Sequence, residues 1–246
     1  MLRYLRLEII RMFRDRRFVF FTIGFPVALY LLMSNVFGSG GTDEVTGLTA
    51  PAYLMVSFAS YGAIGAVLST TGPRLAIEIQ SGWLRQLRVT PLPTWSLIVA
   101  KTLAAMTLAL PALVLVGVAA MLTKGVHLSA GAWLGMIVLM WVGTLPFAAL
   151  GTLIGSAVSP DSAQPVMLVC YFGLSIVGGL WIPVGQLPSV MRSIASWLPS
   201  NRFAELGWSI AGGHAPSAAA GLILVAWAAV LGGLATVTYR RATVNA

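Results

Sequence analysis

The chain has 246 residues, of which 58% are hydrophobic and 9% charged, with a formal net charge of +8. A soluble domain draws on about 25% charged residues to cover its surface, so this composition excludes a water-soluble globular protein. The single cysteine, Cys170, excludes an intrachain disulfide or a thiolate cluster, and basic residues placed beside the ends of apolar runs argue against nucleic acid as a partner.

Residues 2–17 place Leu2, Leu5, Ile9, Met12 and Phe13 near one helical face, with Arg3, Arg6, Arg11, Arg14, Arg17, Glu8 and Asp15 mostly elsewhere. That pattern predicts an amphipathic helix lying in the membrane interface. No small-residue cleavage site follows Val36, so the segment reads as retained rather than as a signal peptide. Crossing about 30 Å of hydrocarbon at about 1.5 Å per residue takes roughly 20 apolar residues. Six runs qualify: 18–36, 50–71, 94–122, 130–158, 162–182 and 217–238. The 72–93 segment, with Arg74, Glu78, Arg85 and Arg88, is polar enough to leave the membrane. The 183–215 segment is broken by Pro183, Pro188, Pro199, Gly212 and Gly213, which predicts short helices dipping back into the membrane rather than a crossing. The expectation is an all-α membrane protein with six transmembrane helices. With six spans, twelve of the fifteen Lys and Arg residues share a side with both termini, leaving Lys124, Arg192 and Arg202 opposite. The positive-inside rule makes the richer side cytoplasmic, in a plasma (inner) membrane.

The spans carry no Asp or Glu, and Lys101 lies near enough to a span end to snorkel as an interfacial anchor. An ion-coupled relay is therefore poorly supplied. No phosphate-cradling loop is present, Lys101-Thr102 being the one Lys followed by Ser or Thr and lacking the preceding glycines. An intramembrane hydrolase built on Ser175 lacks a base, since His127 and His214 fall in loops, and those two histidines are too far apart for a metal site. The expectation is a non-catalytic protein that binds no cofactor itself.

Trp133, Trp181, Trp197 and Trp208 are expected as outer interfacial anchors, because indole prefers the head-group level. Met55, Phe58, Tyr61, Met140 and Tyr171 are candidates for a greasy substrate pathway, against the plainer reading that they face lipid or other helices. Gly151 and Gly155, four apart, allow a close helix approach, within the chain more than between chains.

The stretch from Glu78 to Pro93 is the most informative. A short helix bounded by Gly82 and Pro91, presenting Leu84 and Leu87 between Arg85 and Arg88, suits a protein groove; on physics alone, a charged loop that merely stops translocation fits equally. Glu78, Gly82, Leu84, Leu87, Arg88, Thr90 and Pro91 stand in the order and spacing of the segment between the second and third spans of type-2 ABC exporter permeases, which the chain resembles. Gln80 and Trp83 depart from that pattern. The basic amphipathic N-terminus is similar to the family's interfacial helix, and Trp181, Pro183, Leu187, Pro188 and Pro199 resemble its external re-entrant segment. The resemblance thus runs along nearly the whole chain.

The resemblance implies one permease domain over 1–246, comprising the 1–17 interfacial helix, a 72–93 coupling segment that docks on a separate ATPase, and the 183–215 external segment. It implies two permease chains, identical or related, with two ATPase subunits that carry ATP and Mg. An amphipathic drug or lipid-like substrate in membrane lipid suits spans without fixed charges. Polysaccharide or lipid-linked glycan export, and a passive channel or scaffold, are the alternative functions.

Overall fold

The fold is described from a computed structural model covering residues 6, 7, 9, 10, 14, 20–38, 41–43, 46–82 and 94–245. Among them there is no strand, only an isolated bridge between Thr42 and Thr49. A π-helical turn at Phe20–Gly24 leads into α1 (Phe25–Phe37). Then come α2 (Ala50–Thr71), α3 (Pro73–Gln80), α4 (Thr94–Lys124), α5 (Ala130–Gly143), α6 (Leu145–Ala157) and α7 (Pro160–Val177). A 3-10 turn at Val184–Gln186, the short α8 (Ser189–Ala195), α9 (Pro199–Ala211) and the long α10 (Ala218–Asn245) complete the chain.

Among the described residues, four stretches are long and apolar enough to cross a membrane: Ala50–Gln80, Ile98–Lys124, Ala130–Ala157 and Ala218–Ala242. The described part of the expected first span is a shorter apolar helix, Thr22–Phe37. The expected fifth span is helical over Pro160–Val177, so 178–182 belongs to a turn rather than to the span. Two details lie within the expected elements. After a bend at Gly72-Pro73, where Gly72 adopts a non-helical ψ of -87°, the 72–93 segment opens as helix α3. The 130–158 run is two helices meeting at Thr144, with Pro146 in the first turn of α6; proline lacks an amide hydrogen, which is tolerated at a helix start.

α2 is the axle of the bundle. Every residue from Ala52 to Leu68 is buried, and so are Thr70 and Thr71. This helix lacks a polar face, as expected of one surrounded by protein in a membrane. Its hydroxyls bond their own helix: Ser57 donates to the Tyr53 carbonyl at 2.9 Å and Thr71 to Val67 at 2.7 Å, leaving no polar group of these side chains without a partner. The opposite case is α10, most of which is not buried, with Leu222, Val225, Val230 and Leu234 turned outward. Exposed aliphatic residues on α5, α7 and α10 are what a lipid-facing surface requires.

Glycines set the close approaches. A Cβ on Gly151 would lie 1.9 Å from Thr71 Oγ1, and one on Gly155 would lie 2.4 Å from the Gly72 carbonyl oxygen, so the α2–α3 bend is seated directly on α6. Gly151 and Gly155 therefore pack within the chain. Trp208 corrects an expectation: it is buried on α9, stacked on Tyr53 with ring centroids 4.7 Å apart, and its Nε1 donates to the Tyr53 carbonyl at 3.3 Å. Trp133 is half-buried over Gly117, whereas Trp197 is 70% exposed, as an interfacial residue would be.

Candidate functional site

Two regions at opposite ends of the bundle concentrate polar chemistry. The first is where α3 ends and α4 begins. Gly82 has a φ of +68°, the left-handed conformation that glycine adopts without a Cβ penalty, and its N–H donates to the Ile79 carbonyl at 3.2 Å, so it terminates α3. Glu78, on the last turn, is 5% exposed and its carboxylate takes an ion pair from Lys101 Nζ on α4. The side chain of Lys101 is only 15% exposed. Its expected role as a snorkelling anchor is thus corrected: the ammonium turns toward an acid of the adjoining helix. A small cavity of about 20 Å³ beside the pair is lined by Thr70, Thr71, Arg74, Lys101, Thr152 and Tyr239, among others. Leu84, Arg85, Leu87 and Arg88 lie outside the described residues, as do Thr90 and Pro91. Of the expected N-terminal helix, the described Ile9 packs against Ala66, Ala104 and Leu108, while Leu7 and Ile10 are exposed.

The second region follows α7. The end of a helix leaves carbonyls without intrahelical donors, and in a medium without water those must be met by side chains. Here Ser200 Oγ donates to the Leu174 carbonyl at 2.6 Å, Asn201 Nδ2 to Gly178 at 3.0 Å and Tyr53 OH to Gly179 at 2.7 Å. A Cβ on Gly178 would come within 2.2 Å of Ser200 Oγ. The N-terminus of α9 is thereby fixed against the C-terminus of α7, and Pro199, in its first turn, is buried there. α9 then inserts between α2 and α5: a Cβ on Gly207 would meet Val56 at 2.6 Å and Met140 Sδ at 2.8 Å. Helices of 7 and 13 residues, α8 and α9, are about 10 and 20 Å long, too short to cross the bilayer.

Of the expected external residues, Pro183 precedes the 3-10 turn, Pro188 precedes α8, Leu187 is buried and Trp181 is half-buried. Trp181 joins an aromatic cluster, edge-on to Tyr61 at 5.5 Å and to Phe58 at 6.2 Å, while Tyr61 and Tyr171 stack at 4.4 Å. Tyr171 OH donates to the Tyr61 carbonyl at 2.9 Å. Among the candidate pathway residues, Met55, Phe58, Tyr61 and Met140 are fully buried in the core of the chain, and Tyr171 closes against them. Ser175 Oγ donates to the Tyr171 carbonyl at 2.6 Å, and His127 and His214 are exposed in loops.

Open space at this end lies elsewhere. One cavity of about 520 Å³ is lined chiefly by Met33, Phe37, Tyr53, Leu54, Trp181 and Ile182, with Asp43 its one charged group among the described residues. A second, of about 490 Å³, holds Asp43, Arg192, Arg202, Glu205 and His214. Tyr53 and Asp43 border both. Arg192 donates to the Gly185 carbonyl at 2.8 Å, strapping the loop, and Glu205 links Arg202 to Ser217 Oγ. Sequence reasoning missed Tyr53, Asp43, Ser200, Asn201 and the pairing of Lys101. A usable signal existed for two of them: Ser200-Asn201 directly after Pro199 is a polar helix start inside an otherwise apolar stretch.

Residues 2–209 match the family described as ABC-2 type transporter. The chain is also 30% identical over 222 residues to a Bacillus subtilis (strain 168) protein named "Putative transport permease YvfS", an alignment covering 89% of each chain. The helical fold with its four candidate spans, and a family match running across most of its length, lead to one conclusion: this chain belongs to the ABC-2 type transporter family, as a multi-pass membrane permease of an ABC transporter.

Proposed function

We propose that the chain is the membrane subunit of an ATP-driven exporter that moves an amphipathic drug-like or lipid-like molecule, with hydrolysis on a separate ATPase subunit that holds ATP and Mg. The observation that carries the reading is the family match over residues 2–209, which contains the Glu78–Pro91 pattern between α3 and α4. In this reading the segment between those helices docks into the motor through Leu84 and Leu87, flanked by Arg85 and Arg88. Two permease chains act with two ATPase subunits, and the chain crosses the bilayer six times with both termini in the cytoplasm. The alternating direction of the helices supports that count: Lys101 meets Glu78, and Ser156 lies 2.7 Å from Thr238, at one end, while Lys124 meets Asn35 and Trp208 meets Tyr53 at the other.

α8 and α9 form the re-entrant external segment in this account. The largely apolar 520 Å³ cavity beside them supports an amphipathic substrate, since drug-sized ligands occupy clefts of about 300–1,000 Å³ with few polar groups. The test is flux in proteoliposomes containing the permease and its ATPase, with lipophilic dyes and a fluorescent phospholipid as probes. The reading expects movement that requires ATP and runs against a gradient. Downhill leakage identical with and without ATP would make the protein a passive channel.

A further inference from the structure

The two cavities beside α8 and α9 differ in chemistry and meet at Tyr53 and Asp43. Tyr53 is held in place there: its OH donates to the Gly179 carbonyl, its ring stacks on Trp208, and that indole donates to the Tyr53 carbonyl. It forms a fixed edge along which an apolar cavity gives way to a charged one. The charged cavity lies level with the start of α10, because Glu205 in its lining accepts from Ser217, the residue before that helix. In the exporter reading this is the level of the outer head groups.

Among the described residues, the charged cavity holds two acids, Asp43 and Glu205, and two arginines, Arg192 and Arg202. Arg202 and Glu205 set their charges against each other, and Glu205 also takes the Ser217 hydroxyl. The Asp43 carboxylate accepts from the amide and the hydroxyl of Thr46 at 2.8 and 2.9 Å. Arg192 is tethered through one nitrogen, Nη2, which donates to the carbonyls of Gly185 and Leu187 at 2.8 and 3.4 Å. Those bonds orient the guanidinium without neutralising it, and among the described residues Nε and Nη1 have no acceptor. A planar, permanently charged group so placed matches an oxyanion with several acceptor oxygens, as in a phosphate.

We propose that the two cavities are halves of one site for an amphiphile with a phosphate-bearing head, its apolar part beside Met33, Leu54 and Trp181 and its phosphate on Arg192. Each half has the volume of a small-ligand cleft, and the fixed Tyr53 edge sets where the head begins. That this amphiphile is cargo rests on the exporter reading above, to which the site adds a chemical class for the head.

The test measures binding, without nucleotide, of three fluorescent probes sharing one tail to the full-length permease in maltoside micelles: a lysophosphatidate, the matching monoacylglycerol and the matching alkyltrimethylammonium. The lysophosphatidate should bind at least about tenfold more tightly than the monoacylglycerol, the scale of a charge-assisted hydrogen bond. Arg192→Gln should erase that preference while monoacylglycerol binding persists, and Arg192→Lys should keep part of it. Met33→Trp, which fills the apolar half, should weaken both acyl probes. Inorganic phosphate in millimolar excess should leave the lysophosphatidate bound; displacement would make this a site for a free anion and overturn the inference. Equal losses of both acyl probes in Arg192→Gln would mean that Arg192 only straps the loop. Binding of the alkyltrimethylammonium as tight as that of the lysophosphatidate would assign the cavity to cations, and either result overturns the inference. Absence of ATP-driven flux with the phosphate preference intact would instead defeat the exporter reading and not the site.

Discussion

Gly151→Ala is the sharpest test of how the bundle is held. The added methyl would stand 1.9 Å from Thr71 Oγ1, 2.9 Å from Thr71 Cβ and 3.3 Å from the Gly72 nitrogen. Favourable carbon contacts lie near 3.5–4 Å, so α6 must retreat from the bend by roughly 1.5 Å or Thr71 must turn away. Turning Thr71 breaks its 2.7 Å hydrogen bond to the Val67 carbonyl. Overpacking of a tight core costs about 1–3 kcal/mol and a lost hydrogen bond about 0.5–1.5, for a combined loss of about 1.5–4.5 kcal/mol. Unfolding in mixed micelles, by SDS titration followed by circular dichroism, measures this directly. Adding Thr71→Ala removes the nearest atom but leaves the Cβ contact, so the double variant should recover at least about 1 kcal/mol relative to additivity. A Gly151→Ala chain within about 0.5 kcal/mol of native, or strict additivity with Thr71→Ala, would refute the seating of the bend on α6.

Further consequences are measurable by the same unfolding assay. Trp208→Ala should cost about 3–5 kcal/mol, because a buried, stacked indole leaves a cavity, while Trp197→Ala should stay within about 0.5 kcal/mol; equal losses would contradict the core position of Trp208. Asn201→Ala strips the donor from the buried Gly178 carbonyl and should cost about 1–3 kcal/mol, and a neutral result would mean that α9 is not fixed to α7 there. Gly65→Ala would bring a methyl within 2.6 Å of Tyr171 OH, a loss of about 1–3 kcal/mol that Tyr171→Phe should partly relieve; no relief would refute the contact.

Much of the architecture is legible in the sequence because lipid imposes a coarse code. Apolar runs of crossing length mark the four long stretches, and Pro183, Pro188 and Pro199 mark where the chain between α7 and α10 turns. The bend at Gly72-Pro73 is less legible, since Gly-Pro reads as the end of a helix when nothing shows that α6 offers two glycines to receive it. Trp208 misleads for a similar reason: an indole in a membrane protein suits the interface on its own, and only the facing ring of Tyr53 makes it core. Lys101 and Glu78 are 23 positions apart, so their pairing depends on a tertiary approach that no local pattern encodes. The candidate pathway residues illustrate the limit in the other direction, because methionine and aromatic content is the same for a lining as for a packed core, and Met55, Phe58, Tyr61 and Met140 pack.

The most direct measurement of the central claim is ATP hydrolysis by the permease purified in lipid together with its ATPase subunit, comparing the native chain with a Leu84→Asp/Leu87→Asp double variant. The account predicts that the ATPase co-purifies with the native chain and is lost, or hydrolyses ATP without driving transport, in the variant. A native chain with which no ATPase associates, or a variant indistinguishable from it in association, hydrolysis and transport, would contradict the account.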